Sequence, residues 1–277
     1  MLLEIRHESI YRYSTTANYS IQYARLMPRS DAGQRVLTWR IDAPGRRWRQ
    51  TDCYGNVVDV ISVVDQHAGI RIVAQGQIET ADDRGHLIPA DSAVPPLAFA
   101  LPTPATEPDA AIRALAFEAF GECASITIGR TECEHLMALV GARMASRNGT
   151  CGIHASAAEA LAREGGTCQD MTHVFLAACR AGGVPARYVS GYVLDSRSAA
   201  ASHAWAEAWI ATAHRGAGAW LGFDVAHQRL SGAELCRLAI GRDEMDAGPL
   251  RGSRMGSAGE ELTVSVSVSA AAGNPGR

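Results

Sequence analysis

The sequence predicts an α+β protein, in which an antiparallel β-sandwich-like domain precedes a domain of helices and strands. Runs with the alternation typical of short strands fill residues 1–88. Six of the eleven prolines lie within residues 89–108, and because proline is excluded from regular helices and central strands, this segment predicts a linker. Helical patterns followed by strands occupy residues 109–277, which predicts the second domain.

The first domain is predicted from period-2 patterns. Residues 2–13 alternate apolar and polar side chains, which indicates a half-buried strand. Turn-forming residues separate the further strand-like runs, which are residues 36–41, 48–52, 57–64 and 70–79. Short strands at this spacing are typical of a compact antiparallel sandwich.

The second domain is predicted to begin with helices and to end with a strand. Asp109 can cap an apolar helix over residues 111–120, and Thr131 with Glu134 has the spacing of a capping box for the next helix. An alanine-rich helix follows, at residues 155–163. The perfectly alternating run at residues 261–268 predicts a final strand with one buried face.

The stretch GGTCQDMTH, residues 165–173, places a cysteine on the first turn of a helix. Thr167 is a good N-cap, and Asp170 completes a capping box. Unpaired backbone N–H groups and the positive end of the helix dipole favour a thiolate at such a position. Cys168 is therefore the candidate nucleophile, whereas we interpret Asp170 as a helix cap.

Two predicted strands supply a base and a carboxylate. Large or polar residues alternate with small ones over residues 202–210, which predicts a strand that His203 opens. Residues 219–225 predict the next strand, with Asp224 near its end. Antiparallel pairing of these strands would bring Asp224 to the imidazole. Cysteine, histidine and aspartate in this order have the chemical types of a catalytic triad.

These motifs resemble a known family. The runs GTCQDMTHVFLAACRAGGVPARYVSGY, SHAWAEAW and WLGFD are similar to the core of bacterial transglutaminase-like proteins, and YRYS, RLMPR and DCYGN resemble the β domain often fused to it. The resemblance implies a transglutaminase-like core with the papain-like cysteine-protease fold. It also implies a catalytic triad of nucleophile Cys168, base His203 and orienting Asp224.

One segment departs from the family pattern. The family usually continues after its aspartate with Pro-Thr and often Asn, whereas this chain has Val225-Ala226-His227. These residues are expected to shape the turn and the surroundings of Asp224. We therefore expect the difference to affect the rate and the substrate pocket more than the triad itself.

The predicted activity is cysteine-dependent acyl transfer at amide or peptide bonds through a thioester. The backbone N–H of Cys168 is the natural first donor of an oxyanion hole, and the sequence identifies no second donor. Release by water gives a peptidase or amidase, which we favour because water needs no second binding site. Release to an amine, as in a transglutaminase or amide ligase, is the alternative.

Two other classes of function stay open. A catalytically silent binding module on the same fold is compatible with the altered residues after Asp224. A metal-dependent hydrolase would use His203, His214 and His227, but their spacing is not that of a compact metal site. The sequence therefore predicts neither a metal nor another cofactor.

Composition narrows the expected partners to a peptide or amide substrate, with an amine acceptor in the alternative reaction. A net charge of −3 without a polybasic run gives no reason to expect nucleic acid. No run reaches the roughly 18 apolar residues that span a membrane. The first residues lack the apolar core of a signal peptide, so we expect a cytoplasmic protein. No pattern specifies the oligomeric state.

Cysteine and lysine usage exclude further classes. Seven cysteines without an export signal argue against a disulfide framework. All 26 basic residues are arginine. Because the chain contains no lysine, mechanisms that use a lysine Schiff base or a P-loop lysine are excluded.

Overall fold

The computed structural model describes residues 1–31, 33–81, 84–121, 128–147, 155–194, 202–211, 218–256 and 259–270. The strands of the N-terminal part are β1 (Leu2–Ala17), β2 (Tyr19–Ala24), β3 (Gln34–Asp42), β4 (Arg46–Thr51), β5 (Val57–Val63), β6 (His67–Thr80) and β7 (Leu87–Ile88). The segment predicted as a linker contains two 3-10 helices, at Pro96–Ala100 and Pro104–Thr106.

The remaining chain mixes helices and strands. In order they are α1 (Ala110–Phe120), α2 (Arg130–Arg143), β8 (Ala145–Ser146), α3 (Ala157–Ala162), β9 (Gly165–Gly166), α4 (Cys168–Ala181), β10 (Ala186–Val193), β11 (Ser202–Ala211), β12 (Gly218–Asp224), a 3-10 turn (Val225–His227), β13 (Arg229–Leu230), β14 (Leu235–Gly241), α5 (Glu244–Ala247), β15 (Leu250–Met255) and β16 (Glu260–Ala270). No helix in the described ranges has the length and apolar character needed to cross a bilayer.

The N-terminal part is a sandwich of two antiparallel four-stranded sheets, as the alternating patterns predict. The strand orders are β16-β1-β6-β3 and β15-β2-β5-β4. The alternation in β1 directs Leu3 and Ile5 inward, where they are buried against Ile61, Ile72 and Ile78. Strand β2, which the sequence patterns did not predict, begins just beyond the end of β1 and crosses to the second sheet.

The C-terminal strands lie in this sandwich, and here the structure differs from the predicted second domain over residues 109–277. The predicted final strand is present within β16, but its predicted buried face is absent, since none of its residues is buried. It pairs antiparallel with β1, from Leu3 opposite Ala270 to Tyr13 opposite Glu260. Strand β15 pairs in the same way with β2. The reason is that β1 and β2 offer sheet edges, and the valines of β16 continue the apolar face of β1.

The start of α2 also differs from the predicted one. Gly129, rather than Thr131, occupies the N-cap position, and the Glu132 carboxylate accepts a 2.9 Å hydrogen bond from its backbone N–H. Glu134 instead pairs with Arg130 one turn earlier. The predicted cap of α1 by Asp109 is confirmed, since its side chain accepts from the N–H of Ile112 at 2.8 Å.

The core of the second part is an antiparallel sheet of six strands, in which β13-β12-β11-β10-β14 follow one another and β7, from the N-terminal part, pairs with β12. Small side chains on one face of β11, at Ala204, Ala206 and Ala208, let α4 pack closely against the sheet. Helices α1, α2 and α3 surround α4 on its other sides. As a result, α4 is buried along most of its length, and its first turn is held at the sheet.

A network of buried charges lies on the opposite face of this sheet, beside apolar side chains such as Val189 and Trp205. Arg187 donates to Glu207 at 2.7 Å and to Asp91 at 2.6 Å, and Arg237 donates to the other oxygen of Asp91 at 2.6 Å. Arg29, from the sandwich, also pairs with Asp91. Charges this deeply buried persist only when they are paired, so the network fixes the sandwich and the Asp91 segment against the sheet.

His7 forms a second buried link between the sandwich and the core. One ring nitrogen lies 2.8 Å from the Ser9 hydroxyl, and the other lies 3.0 Å from the hydroxyl of Tyr192 on β10. Burial lowers the pKa of His7 to about 4. The imidazole is therefore neutral in the folded protein at neutral pH.

We expect His7 to make folding acid-sensitive. In the unfolded chain His7 binds a proton near pH 6.5, whereas in the folded chain it does so only near pH 4. The contribution of the neutral His7 to the free energy of unfolding is therefore complete above pH 6.5 and decreases as the pH falls towards 4. This loss amounts to roughly 3 kcal/mol. Chemical denaturation at pH 7 and pH 4.5 should show a smaller pH effect in His7→Gln than in the wild type. Equal effects in both proteins would contradict this assignment.

Candidate active site

Cys168 is the first residue of α4, where the capping pattern predicted it. The Thr167 hydroxyl caps the helix, and the Asp170 carboxylate accepts a 2.8 Å hydrogen bond from the N–H of Thr167. Gly166 permits this approach, because a Cβ there would lie 2.6 Å from the Asp170 side chain. Cys168 remains partly exposed, and its thiol lies 3.2 Å from the side-chain oxygen of Gln169. The candidate nucleophile is thus held in place and accessible.

His203 and Asp224 meet at the end of the strand pair β11–β12. Ala206 pairs with Phe223, so the chain places Asp224 just beyond the paired stretch and close to the beginning of β11. The Nε2 atom of His203 lies 2.7 Å from Oδ1 of Asp224. Both side chains are buried, with Asp224 entirely inaccessible to solvent. The contact that the sequence predicted between these strands is present.

Cys168 and Asp224 both act on the His203 imidazole. Burial on its own lowers the pKa of His203, but the hydrogen bonds and charges of Asp224 and Cys168 outweigh it and raise the pKa to about 10. Burial raises the pKa of Asp224, yet hydrogen bonds from His203 and His227 outweigh this effect and hold the pKa well below the usual range. The site therefore favours an ionised carboxylate and an imidazolium at neutral pH.

Two further residues contact Asp224, and no sequence pattern predicted this role for them. His227 places Nδ1 2.7 Å from Oδ2 of Asp224, and Arg229 approaches the same oxygen at 3.3 Å. The His227 ring lies 4.9 Å from that of His203, measured between centroids. The signal for His227 was its position three residues after Asp224, since one helical turn brings such residues together. This histidine lies in the segment that departs from the family pattern.

The same residues bear on the metal-hydrolase hypothesis. The ligand atoms of His203, Asp224 and His227 all lie within 4.8 Å of one another, whereas His214 is outside the described residues. Each imidazole contacts a carboxylate oxygen at 2.7 Å, which is shorter than the about 3.3 Å between ligands of a tetrahedral zinc site. Hydrogen bonding therefore accounts for the observed geometry.

His173, in the same helix as Cys168, has a supporting position. Its Nε2 atom accepts a 3.3 Å hydrogen bond from the backbone N–H of Glu244, and its ring packs on Tyr188. The side chain is buried in these contacts. Its position agrees with a structural interpretation of this histidine, which contacts the start of α5.

Comparisons with known proteins agree with this geometry. Residues 3–79 match the bacterial transglutaminase-like N-terminal region, and residues 135–225 match the transglutaminase-like superfamily. An uncharacterised protein of Mycobacterium leprae is 28% identical over 283 residues, covering 96% of this chain and 98% of its own. One of Mycobacterium bovis is 28% identical over 273 residues, covering 90% and 86%.

The fold is also found in a solved structure. A candidate cysteine protease from Cytophaga hutchinsonii superposes with a TM-score of 0.76 at 18% sequence identity, covering 97% of this chain and 90% of its own. Similarity at this level of identity supports the fold. With both parts of the sequence matched, the chain belongs to the transglutaminase-like superfamily and carries the N-terminal region of its bacterial members, as the resemblance of its motifs predicted.

Proposed function

We propose that the protein catalyses acyl transfer at amide or peptide bonds, with Cys168 as nucleophile, His203 as base and Asp224 as the group that orients the imidazole. The observation that carries the proposal is the 2.7 Å contact between the His203 imidazole and the buried carboxylate of Asp224, which lies beside the sheet-packed first turn of α4 that carries Cys168. Family membership supports cysteine-based chemistry in general. The roles of the individual residues follow from the geometry and from the chemistry of such triads.

In the first half-reaction, the Cys168 thiolate attacks the carbonyl carbon and a C–S bond forms. The C–N bond then breaks, and the His203 imidazolium gives its proton to the departing amine. Asp224 keeps the imidazole turned towards the thiol and stabilises its charged form. The backbone N–H of Cys168, at the helix N-terminus, is the proposed donor to the developing oxyanion.

In the second half-reaction, water attacks the thioester. His203 takes a proton from the water as the C–O bond forms, and the C–S bond breaks to regenerate the thiolate. We propose hydrolysis as the outcome because water needs no binding site of its own. An amine that entered instead would give the transglutaminase or ligase product.

A silent binding module is less consistent with the burial of this site. Removing an ionised carboxylate from water costs several kcal/mol unless charged partners compensate. Here an imidazole, a second histidine and an arginine surround Asp224. A module without chemistry would be served equally well by apolar residues at these positions, whereas a catalytic imidazolium requires the charge.

Thiol labelling tests the Cys168–His203 pair. Because the pKa of His203 is about 10, its imidazolium should persist throughout pH 6 to 9 beside the thiol. Iodoacetamide should therefore label Cys168 faster than Cys53 over this range. His203→Ala should slow labelling at pH 6 by about tenfold or more. Site-resolved mass spectrometry measures both rates, with the exposed Cys53 as internal reference.

The labelling rate of Cys53 should be the same in the wild type and in His203→Ala. If Cys168 labels no faster than Cys53 and is insensitive to His203→Ala, the proposed ion pair is wrong. His173→Ala provides a matched control, since it removes another buried histidine, one that contacts the start of α5.

A peptide library tests the reaction itself. Incubation with the wild type should give free carboxylic acids, detected by mass, and Cys168→Ser should give none. Asp224→Asn should reduce kcat by about a hundredfold or more, because the imidazole loses its charged partner. Adding primary amines distinguishes the outcomes, since amide adducts would indicate transfer. Turnover that persists in Cys168→Ser would reject the nucleophile.

His227 should act as a positioning residue. Its removal in His227→Ala leaves Oδ2 of a buried carboxylate with the 3.3 Å contact to Arg229 among the described residues, which should lower kcat about tenfold with KM nearly unchanged. His227→Asn can still donate to this oxygen and should recover most of the loss. Steady-state kinetics on a substrate from the library measures both. Equal activity of His227→Ala and wild type would exclude the role.

A further inference from the structure

Strand β16 is an edge of the sandwich. In the part of the chain that the structure describes, it pairs with β1 alone, and the 11 residues of the strand follow one uninterrupted register. A strand of this kind presents a row of backbone N–H and C=O groups on its free side. Such a row is a template for pairing with another strand.

Among the described residues, the other edges of the two sandwich sheets carry arginines, whereas the charges of β16 are confined to Glu260 and Glu261 at its start. Strand β3 carries Arg35 and Arg40 and has a register shift after Val36. The edges of the second sheet also carry arginines, which are Arg46, Arg47 and Arg49 in β4 and Arg251 and Arg254 in β15. Charges and bulges are the usual devices against edge pairing. The sequence of β16, EELTVSVSVSA, has no basic residue and no proline.

Exposed apolar side chains lie along the same edge. Leu262 is 47% exposed and Val264 43% exposed, although both belong to the inward-facing row of the sheet. Val266 and Val268, further along this row, pack against the sandwich core. The inward-facing row of β16 is therefore exposed to solvent at Leu262 and Val264. A strand added beside β16 would extend the sheet over these two side chains.

The sequence of β16 is complementary to itself in the antiparallel direction. We propose that β16 pairs with β16 of a second copy of this chain, about a two-fold axis at Ser265. This register sets Leu262 opposite Val268 and Val264 opposite Val266, while hydroxyl residues face hydroxyl residues. Glu260 and Glu261 then face Ala270 and Ser269 at the far end. A parallel pairing in register would instead place each glutamate opposite its equivalent.

The result is a closed, isologous dimer with a continuous eight-stranded sheet. In this register the apolar residues of the inward row pair with one another. They therefore remain on the same face of the extended sheet in both copies. The proposed catalytic residues lie in the other part of the fold, so the dimer does not depend on the proposed activity.

Disulfide trapping tests the register. In Ser265→Cys, the new thiols of the two copies lie directly opposite each other, and mild oxidation should give a covalent dimer on non-reducing electrophoresis. Ser269→Cys is the matched control on the same strand, because the register separates its two thiols by about 26 Å. Wild-type protein oxidised in the same way shows how much covalent dimer the native cysteines form. Trapping of both variants to the same extent, or of neither, would overturn the register.

Sedimentation velocity tests the dimer without a crosslink. Ser265→Arg places like charges opposite each other at the axis, and its dissociation constant should rise about fivefold over wild type. Within one copy, Ser265 lies opposite Glu8, so the arginine is compatible with the folded chain. Mixing Ser265→Arg with Ser265→Glu should restore the dimer. Thr38→Arg, on the opposite edge strand, should leave it unchanged.

The proposal fails if the wild type sediments as a monomer at all concentrations. It also fails if the mixed variants do not regain the dimer while each one unfolds at the wild-type temperature. If the protein is a monomer and binds an added extended peptide along β16, the edge serves a different partner, and the proposed pairing with a second copy is wrong.

Discussion

The arrangement of the site depends on one buried charge. Asp224 has no access to solvent and is kept ionised by hydrogen bonds from His203 and His227. Because an uncompensated carboxylate at this depth would cost several kcal/mol, these partners stabilise the folded protein. The requirement fixes the ends of β11 and β12 relative to each other. The first turn of α4, packed on β11, then has a defined position from which Cys168 reaches the imidazole.

The two halves of the molecule are joined by buried polar contacts rather than by the linker alone. Asp91 receives arginines from the sandwich and from the core sheet, and His7 contacts Tyr192 of β10. The chain then returns to the sandwich in β15 and β16. The sandwich is therefore completed only after the core has been traversed, and its folding depends on contacts between residues more than 200 positions apart.

The packing of α4 explains how the fold can serve catalysis. Helix α4 is enclosed by other elements except at its N-terminal turn, so the thiol is both rigidly positioned and accessible. Positioning of this kind supplies much of the benefit of a catalytic triad, because little reorganisation is needed when charge develops. The replacement of the usual family residues after Asp224 is compatible with this, since His227 provides a contact to the carboxylate.

Local patterns in the sequence were sufficient for several features. Capping residues predicted the helix that starts at Cys168, alternation predicted β11, β12 and most sandwich strands, and motif resemblance indicated the family. These features depend on neighbours within a few residues or on a recognisable pattern. The sequence did not reveal β2, the return of β16 to β1, the network around Asp91 or the contact of His227 with Asp224. Only the tertiary structure decided these, because pairing between sheet edges and compensation of buried charges depend on residues far apart in the chain.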